Sequence, residues 1–534
     1  MSALLRSLMP HLVIAPVAIP LVAAAVMALF PEPWRLRRVW LNVAASFLVL
    51  LASVGLAAWV HEHGVVVYVP GGWPPPHGIA LVLDRLAAMM LVLASFVGLC
   101  STAFAAARWS RAGVHFNPLA QLQLMGLCGA FLSGDLFNLF VFFEILLAAS
   151  YGLLLHGSGR PRVAAAVHYV AVNLAASALF LLGTSMLYGL VGTLNLADLS
   201  SRLPHVAAQD RGVLYAGVAL LGLAFLLKAA MWPVNLWLQP AYSAATPPAA
   251  AFFALLTKVG VYALLRCSTL WFPGGGPAEL GEVLMLFGLT TAVLGALGML
   301  GSHRLAALAA FGLVTSSGTL VAALGFGSSA VTAGALLYLV SSTLTASAFF
   351  LLIDLVERWR NSNATLEDEA PFLSPSLIAE AGLNLDDEEQ VLIARPFPAE
   401  TAFLGLCFIA CAVLTAGLPP LSSFIGKLAM LSAVLQGAPA PQRTAVFFTV
   451  VLGTGFLALI AVVRAGIRSF WSADRAPPRL RFAEGLPLVA LLVACITLTA
   501  AAGPALEFTT AAARSLYEPA AYVNAVLHPK EPAR

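Results

Sequence analysis

Residues 221–265 read LGLAFLLKAAMWPVNLWLQPAYSAATPPAAAFFALLTKVGVYALL, and the fold turns on how this stretch sits in a bilayer. It is apolar throughout, yet it carries Lys228 and Lys258 and is interrupted by Pro233, Pro240 and the pair Pro247-Pro248. A charge at membrane depth costs about 3 kcal/mol or more, and such residues mark ion or proton paths. Proline inside a span frees backbone groups, which is tolerated where neighbouring helices or water satisfy them. The rest of the chain sharpens the point. Of its 28 lysines and arginines, all but Lys228, Lys258, Lys427 and Lys530 are arginine. Three of those four lysines fall inside apolar segments. Arginine does not release its proton in a protein, whereas a desolvated lysine can. The three positions therefore call for a base that can be neutral or charged. A lysine snorkelling from a helix end to the interface is the alternative, and all three lie well inside their spans.

The chain of 534 residues is 60% hydrophobic and only 10% charged, with a mean hydropathy of +0.91. Soluble domains carry about 25% charged residues. The composition predicts an all-α polytopic membrane protein. A net charge of +3 gives no sign of a nucleic-acid partner. The six cysteines lie in or beside apolar runs and read as small buried hydrophobes. Cys407 and Cys411 share a helix face, but no histidine or carboxylate flanks them, so no metal site is expected. Phosphate-binding loops, nucleotide fingerprints and nucleophile elbows are missing, so neither a cofactor nor a catalytic residue is assigned. The N-terminal run resembles a signal peptide but reaches Phe30, contains Pro16 and Pro20, and is read as a first transmembrane helix.

Fourteen apolar segments are expected, at 12–30, 41–60, 79–107, 117–133, 135–156, 163–191, 213–238, 243–268, 282–300, 304–325, 329–355, 400–437, 444–467 and 483–505. Arginines cluster after the odd-numbered segments: Arg35, Arg37 and Arg38; Arg108 and Arg111; Arg160 and Arg162; Arg304; Arg358 and Arg360; Arg464 and Arg468. By the positive-inside rule these loops face the cytoplasm and both termini face outward. Residues 192–212 are expected to hold a short surface helix. Residues 358–399 form a long inside loop with acidic clusters at Glu367–Glu369 and Asp386–Glu389, either a solvated linker or a docking surface for a partner subunit. The tail after Phe508 carries no clear signal.

Segment twelve is too long for one straight crossing, about 57 Å of helix against a hydrocarbon core of about 30 Å. It breaks at Gly417-Leu418-Pro419-Pro420, and Lys427 follows. Segment seven breaks at Trp232-Pro233 and carries Lys228. Two broken helices five segments apart imply two five-helix repeats of inverted topology, and paired breaks point to the ion path. The chain then divides into N-terminal helices (1–116), a first repeat (117–268), a second repeat (269–469) and a last helix with its tail (470–534).

Segment five, GDLFNLFVFFEILLAASYGLLLH, holds Glu144 near the midplane, where an intramembrane charge normally pairs inward; Lys228 is its expected partner. Lys258 and Lys427 lack a carboxylate in their own spans and are the candidates to hand protons on. His168 in segment six is either a packing hydrogen-bonder or a relay between Lys228 and Lys258. Asp84 and Arg85 are expected to form an interfacial ion pair, Asp135 to cap segment five, and Arg304 to anchor segment ten. Ser316, Ser317, Ser341, Ser342 and Thr343 suit close packing or a hydrated channel.

The stretches GDLFNLFVFFEILLAASYGL, LLKAAMWPVNLWLQPAYSAATPPAAAFFALLTKVGVYAL and LPPLSSFIGKLAML resemble the antiporter-like subunits of respiratory complex I and of Mrp-type (Pha, Mnh) cation/proton antiporters. HYVAVNLAASALFLLGTSMLYGLVGTLNLADL is more similar to the Mrp D subunit. The resemblance implies a fourteen-helix fold and a proton path through Glu144, Lys228, Lys258 and Lys427. It also implies membership of a multisubunit inner-membrane complex exporting Na⁺ or K⁺ against entering protons. A proton-pumping subunit of a complex I-like or hydrogenase redox complex is the alternative. The chain departs from the family pattern twice. Segment eleven reads LYLVSSTLTASAFFLLIDLV where relatives carry a histidine and a lysine, and SHRLAALAAFGLVTSSG has Arg304 where relatives often have an acidic residue and a lysine.

Overall fold

The computed structural model describes residues 11–109, 113, 115–272, 278–368, 398–437, 440–470 and 480–528. In chain order the helices are α1 (Ala15–Leu29), α2 (Arg35–His63), α3 (Arg85–Ala107), α4 (Phe116–Leu132), α5 (Leu136–Leu155), α6 (Arg160–Val191), α7 (Leu196–Arg202), α8 (Arg211–Lys228), α9 (Leu238–Ala244) and α10 (Pro247–Phe253). There follow α11 (Leu256–Trp271), α12 (Ala278–Gly301), α13 (Leu305–Leu324), α14 (Ser329–Asp368), α15 (Ala399–Ala416), α16 (Ser422–Gln436), α17 (Pro441–Phe470), α18 (Phe482–Ala500), α19 (Ala502–Tyr517) and α20 (Ala520–Leu527). Every one of the fourteen expected apolar segments is helical, so the chain is an all-α polytopic membrane protein. Segment seven is α8, a break and α9; segment twelve is α15, a break and α16. Segment eight carries a further, smaller irregularity at Ala254-Leu255, between α10 and α11. Residues 358–368, expected in a loop, continue α14 as helix; the acidic cluster Asp386–Glu389 and Lys530 lie outside the described residues.

The connections sort onto two faces. After the even-numbered segments, β1 (Val66–Tyr68) pairs antiparallel with β2 (Leu81–Leu83). Isolated bridges join Leu81 to Ser133 and Asp135 to Asn195, which ties three successive hairpins together. The expected surface helix in 192–212 is α7, capped by Asn195 on the N–H groups of Ala197 and Asp198. The tail adds what its sequence did not announce. Amphipathic α19 packs on α14 and α3 on this same face, with Tyr517 hydrogen-bonded to Thr332 at 3.1 Å. On the opposite, arginine-rich face, Arg358 pairs with Glu484 (2.9 Å) and Asp354 (3.1 Å). Trp109 donates to Asp354 at 3.4 Å and Arg481 donates to the Ala107 carbonyl. Arg304, exposed at the start of α13, lies here as expected.

In the bilayer the hydrophobic effect does not hold helices together, so close packing and polar contacts must. The α12–α13 pair shows how. A Cβ on Gly288 would collide with the Ala322 nitrogen, and one on Gly318 would lie 2.5 Å from that of Ala292. α10 and α11 sit at the centre, buried along their whole apolar window.

One ion pair falls elsewhere than expected. Asp84 does not pair with Arg85. It caps α3 through the Ala87 N–H (2.9 Å) and holds Arg266 of α11 with two bonds of 2.6 and 2.7 Å. Adjacent residues on a helix do not face each other, so the cap turns the carboxylate inward while Arg85 points away. Arg266 also reaches the Tyr262 hydroxyl (3.3 Å) and lies over the Tyr522 ring of α20. The buried pair thus joins α3, α11 and the C-terminal helix. Removing one partner of such a pair costs about 3–5 kcal/mol because the other charge is stranded. Asp84→Asn is expected to lower the unfolding free energy of the purified protein in detergent by that order. The double variant Asp84→Asn/Arg266→Met is expected to recover part of the loss.

Candidate functional site

Each functional side chain is placed by a helix start or stop. Asp135 opens α5, accepting from the N–H groups of Phe137 (2.8 Å) and Asn138 (3.0 Å), as the sequence indicated. This sets the register that puts Glu144 halfway along the helix. Glu144 is half-buried and accepts from the Ser177 hydroxyl of α6. It is close enough to Lys228 for the two charges to act on each other, but they do not hydrogen-bond. Among the described residues the Lys228 ammonium has no hydrogen-bond partner, and it lies 5.4 Å from the centre of the Phe143 ring. The expected direct pair is therefore a charge pair held apart.

Lys228 is the last residue of α8, and the helix stops there by a Schellman turn. Met231 N–H bonds the Leu226 carbonyl and Ala230 N–H the Leu227 carbonyl, both at 3.0 Å, with Ala230 at φ +57°. α15 ends in the same way, with Leu418 N–H on the Val413 carbonyl at 3.0 Å and Gly417 at φ +74°. Pro233, and Pro419 with Pro420, lie within the two breaks, where they were expected. Freed backbone groups find partners: Trp232 N–H donates to Thr291 of α12 (2.8 Å), and the Ala416 carbonyl accepts from the Lys427 amine (3.0 Å). Lys427 thus binds the negative end of the helix before it, and it lies 5.7 Å from the Tyr338 ring centre.

Lys258 is fully buried, and its amine donates to Ser316 (2.7 Å) and Ser317 (3.1 Å) of α13. Its neighbours are neutral hydroxyls. Between Ser316 and the second break lies a cavity of about 30 Å³ lined by the hydroxyl-bearing Ser316, Ser342, Thr345, Thr415 and Ser423. A water needs roughly 10–15 Å³ of such space and two to four polar partners, so the cavity can hold water between Lys258 and Lys427. Ser342 and Thr345 lie in segment eleven, where the family pattern led one to look for a histidine and a lysine. Ser316 and Ser317 were visible in the sequence as small polar positions; Ser177, Thr291, Thr415 and Ser423 were not singled out.

His168 is exposed on the outward face of α6 and is not part of the buried row. A second polar group lies elsewhere, on the arginine-rich side of Lys228. Tyr151, Asn235, Trp237, Tyr242 and Thr246 each bury a polar atom without a partner among the described residues. The rings of Tyr151, Tyr169, Trp237 and Tyr242 run in contact, 5.2–6.1 Å apart. Buried polar groups need partners, so this cluster is suited to water. Among the described residues no group of three or more His, Cys, Asp or Glu could hold a metal ion.

The two stops invite opposite substitutions. A left-handed residue other than glycine costs about 1–2 kcal/mol. Ala230→Gly is expected to raise stability slightly. Gly417→Ala is expected to lower it, since its Cβ would also fall 2.6 Å from the Lys427 amine. Unfolding in a detergent–denaturant series reads both signs.

A profile for the NADH:quinone oxidoreductase/Mrp antiporter transmembrane family matches residues 133–453. The chain is 46% identical to the D subunit of a probable K⁺/H⁺ antiporter of Rhizobium meliloti, over 97% of both chains. It is 32% identical to the D subunit of an Na⁺/H⁺ antiporter of Alkalihalophilus pseudofirmus, over 97% of this chain and all of that one. A chain in the structure of the Mrp complex from Dietzia sp. superposes with a TM-score of 0.81 at 27% identity, covering 99% of this chain and 100% of that one. With buried lysines beside two matched helix breaks, the chain belongs to the NADH:quinone oxidoreductase/Mrp antiporter family, among relatives named as antiporter D subunits.

Proposed function

We propose that this chain is the proton-conducting subunit of a multisubunit antiporter that exports Na⁺ or K⁺ in exchange for protons. The observation that carries the reading is the buried row of three amines, none in contact with a carboxylate among the described residues, with a hydroxyl-bearing cavity between two of them. On this reading water in the Tyr151–Trp237–Tyr242 cluster connects the arginine-rich face to Lys228. Glu144 biases the Lys228 charge without locking it, as a contact ion pair would. Lys258 passes its proton through Ser316 and the cavity to Lys427. The orientation follows the arginine-rich loops, placing that face in the cytoplasm and both termini outside the cell's inner membrane. The partners are the other antiporter subunits, membrane lipid, protons and a monovalent cation; no cofactor is invoked. The redox-complex alternative has less support, because the near full-length relatives at 46% and 32% identity carry antiporter names.

The test separates proton carrying from mere positive charge. Lys258→Arg keeps the charge but cannot release a proton; Lys258→Ala removes both. In complexes that still assemble, both are expected to lose cation-dependent dissipation of a vesicle pH gradient. Antiport retained in Lys258→Arg would show that the site needs only charge. Ser342→Leu, which fills the cavity, is expected to slow antiport by roughly ten-fold or more, the effect of about 1.4 kcal/mol on the barrier.

A further inference from the structure

A second space in the molecule has no part in the route above. Between α8, α11 and α12 lies an apolar crevice of about 410 Å³, lined among others by Gly222, Phe225, Leu264, Trp271, Val283 and Phe287. We propose that it is a binding site for one acyl chain of a membrane phospholipid. Three observations point to that occupant.

The first is length. Along α8 the crevice runs from Tyr215 to Leu226, eleven residue steps and so about 17 Å of helix. One leaflet of a hydrocarbon core of about 30 Å is about 15 Å deep. The second is access. Leu223 and Val283 line the crevice and are each 43% exposed, so it opens sideways at hydrocarbon depth. Tyr215, 52% exposed, marks its upper end, and a tyrosine at headgroup level is the usual membrane-interface residue. The third is chemistry. The walls are almost wholly hydrocarbon, and an apolar cavity does not hold water. Its volume falls in the range of ordinary small-ligand sites, roughly 300–1,000 Å³.

The crevice ends two residues short of Lys228. A hydrocarbon chain seated there closes the approach to that amine from the Tyr215 side, which is the outer side on the orientation proposed above. The binding claim itself does not need the transport reading, and its test does not measure transport.

The assembled complex is placed in vesicles of phosphatidylethanolamine and phosphatidylglycerol with a trace of phosphatidylglycerol bearing a photoreactive diazirine in mid-chain. After irradiation, labelled residues are mapped by mass spectrometry. Leu182, exposed on the outward face of α6, is the reference for casual lipid contact. Label on Leu264 and Phe225 is expected to exceed that on Leu182 roughly ten-fold and to saturate, as a site does. Gly222→Leu fills the crevice, and a Cβ at Gly222 meets nothing within 4 Å. It is expected to return crevice label to the Leu182 level while leaving Leu182 unchanged; Ala219→Leu serves if that variant does not assemble. Crevice label no higher than on Leu182, or label indifferent to both filling variants, would each overturn the proposal.

Discussion

A charge at the centre of a bilayer has to be held by protein groups or by the few waters they shelter, because bulk water is out of reach. The architecture follows from meeting that requirement three times. Lys427 follows its helix break and binds the freed Ala416 carbonyl of the half-helix before it, whereas Lys228 ends the other broken helix with its amine over the Phe143 ring. Lys258 lies in the most buried helix of the molecule and leans on two serines of the next one. Among the described residues none of the three is neutralised by a carboxylate in contact. A tight ion pair would lower the cost of burial but would also fix the proton. On the proposed reading, the arrangement accepts a higher cost in return for an amine free to change state.

The two breaks show one device used in opposite directions. Both helices end in a Schellman turn with a left-handed residue, Ala230 in one and Gly417 in the other. Lys228 precedes its break and Lys427 follows its own. In inverted repeats the chain crosses the membrane in opposite senses, so a residue before one stop and a residue after the other can serve the same central layer. The difference in residue type also has a local reason. Any side chain at Gly417 would collide with the Lys427 amine, whereas Ala230 carries its methyl group at the cost of an unfavourable backbone.

Much of this was legible in the sequence. Hydropathy and the arginine clusters are long-range averages, so all fourteen apolar segments and their sorting of loops onto two faces came through. The lysines stood out because so few were used, and the breaks because proline and glycine act locally. What escaped depends on which face of a helix a residue occupies, or on partners far along the chain. Asp84 finds Arg266, 182 residues away, and no spacing rule points there. His168 reads as intramembrane by depth, but it faces outward. Glu144 and Lys228 share a layer without touching because Ser177 claims the carboxylate. The tail helix α19 was too polar for a hydropathy count and too short to announce itself by periodicity.

The departures from the family pattern acquire a physical meaning from the cavity beside Ser316. A histidine can carry a proton on its own ring; serine and threonine hydroxyls pass one on only in exchange for another, through a neighbouring donor. A hydroxyl-lined link therefore works when it is wet and insulates when it is dry. The space, about 30 Å³, admits only a water or two, and Thr415 and Ser423, which line it, flank the break that holds Lys427. A small movement of that break would alter both the volume of the cavity and the position of the amine. On the proposed route, hydration of this link and the state of Lys427 are thus coupled by geometry, and a proton crosses between the halves of the molecule only when both are in register.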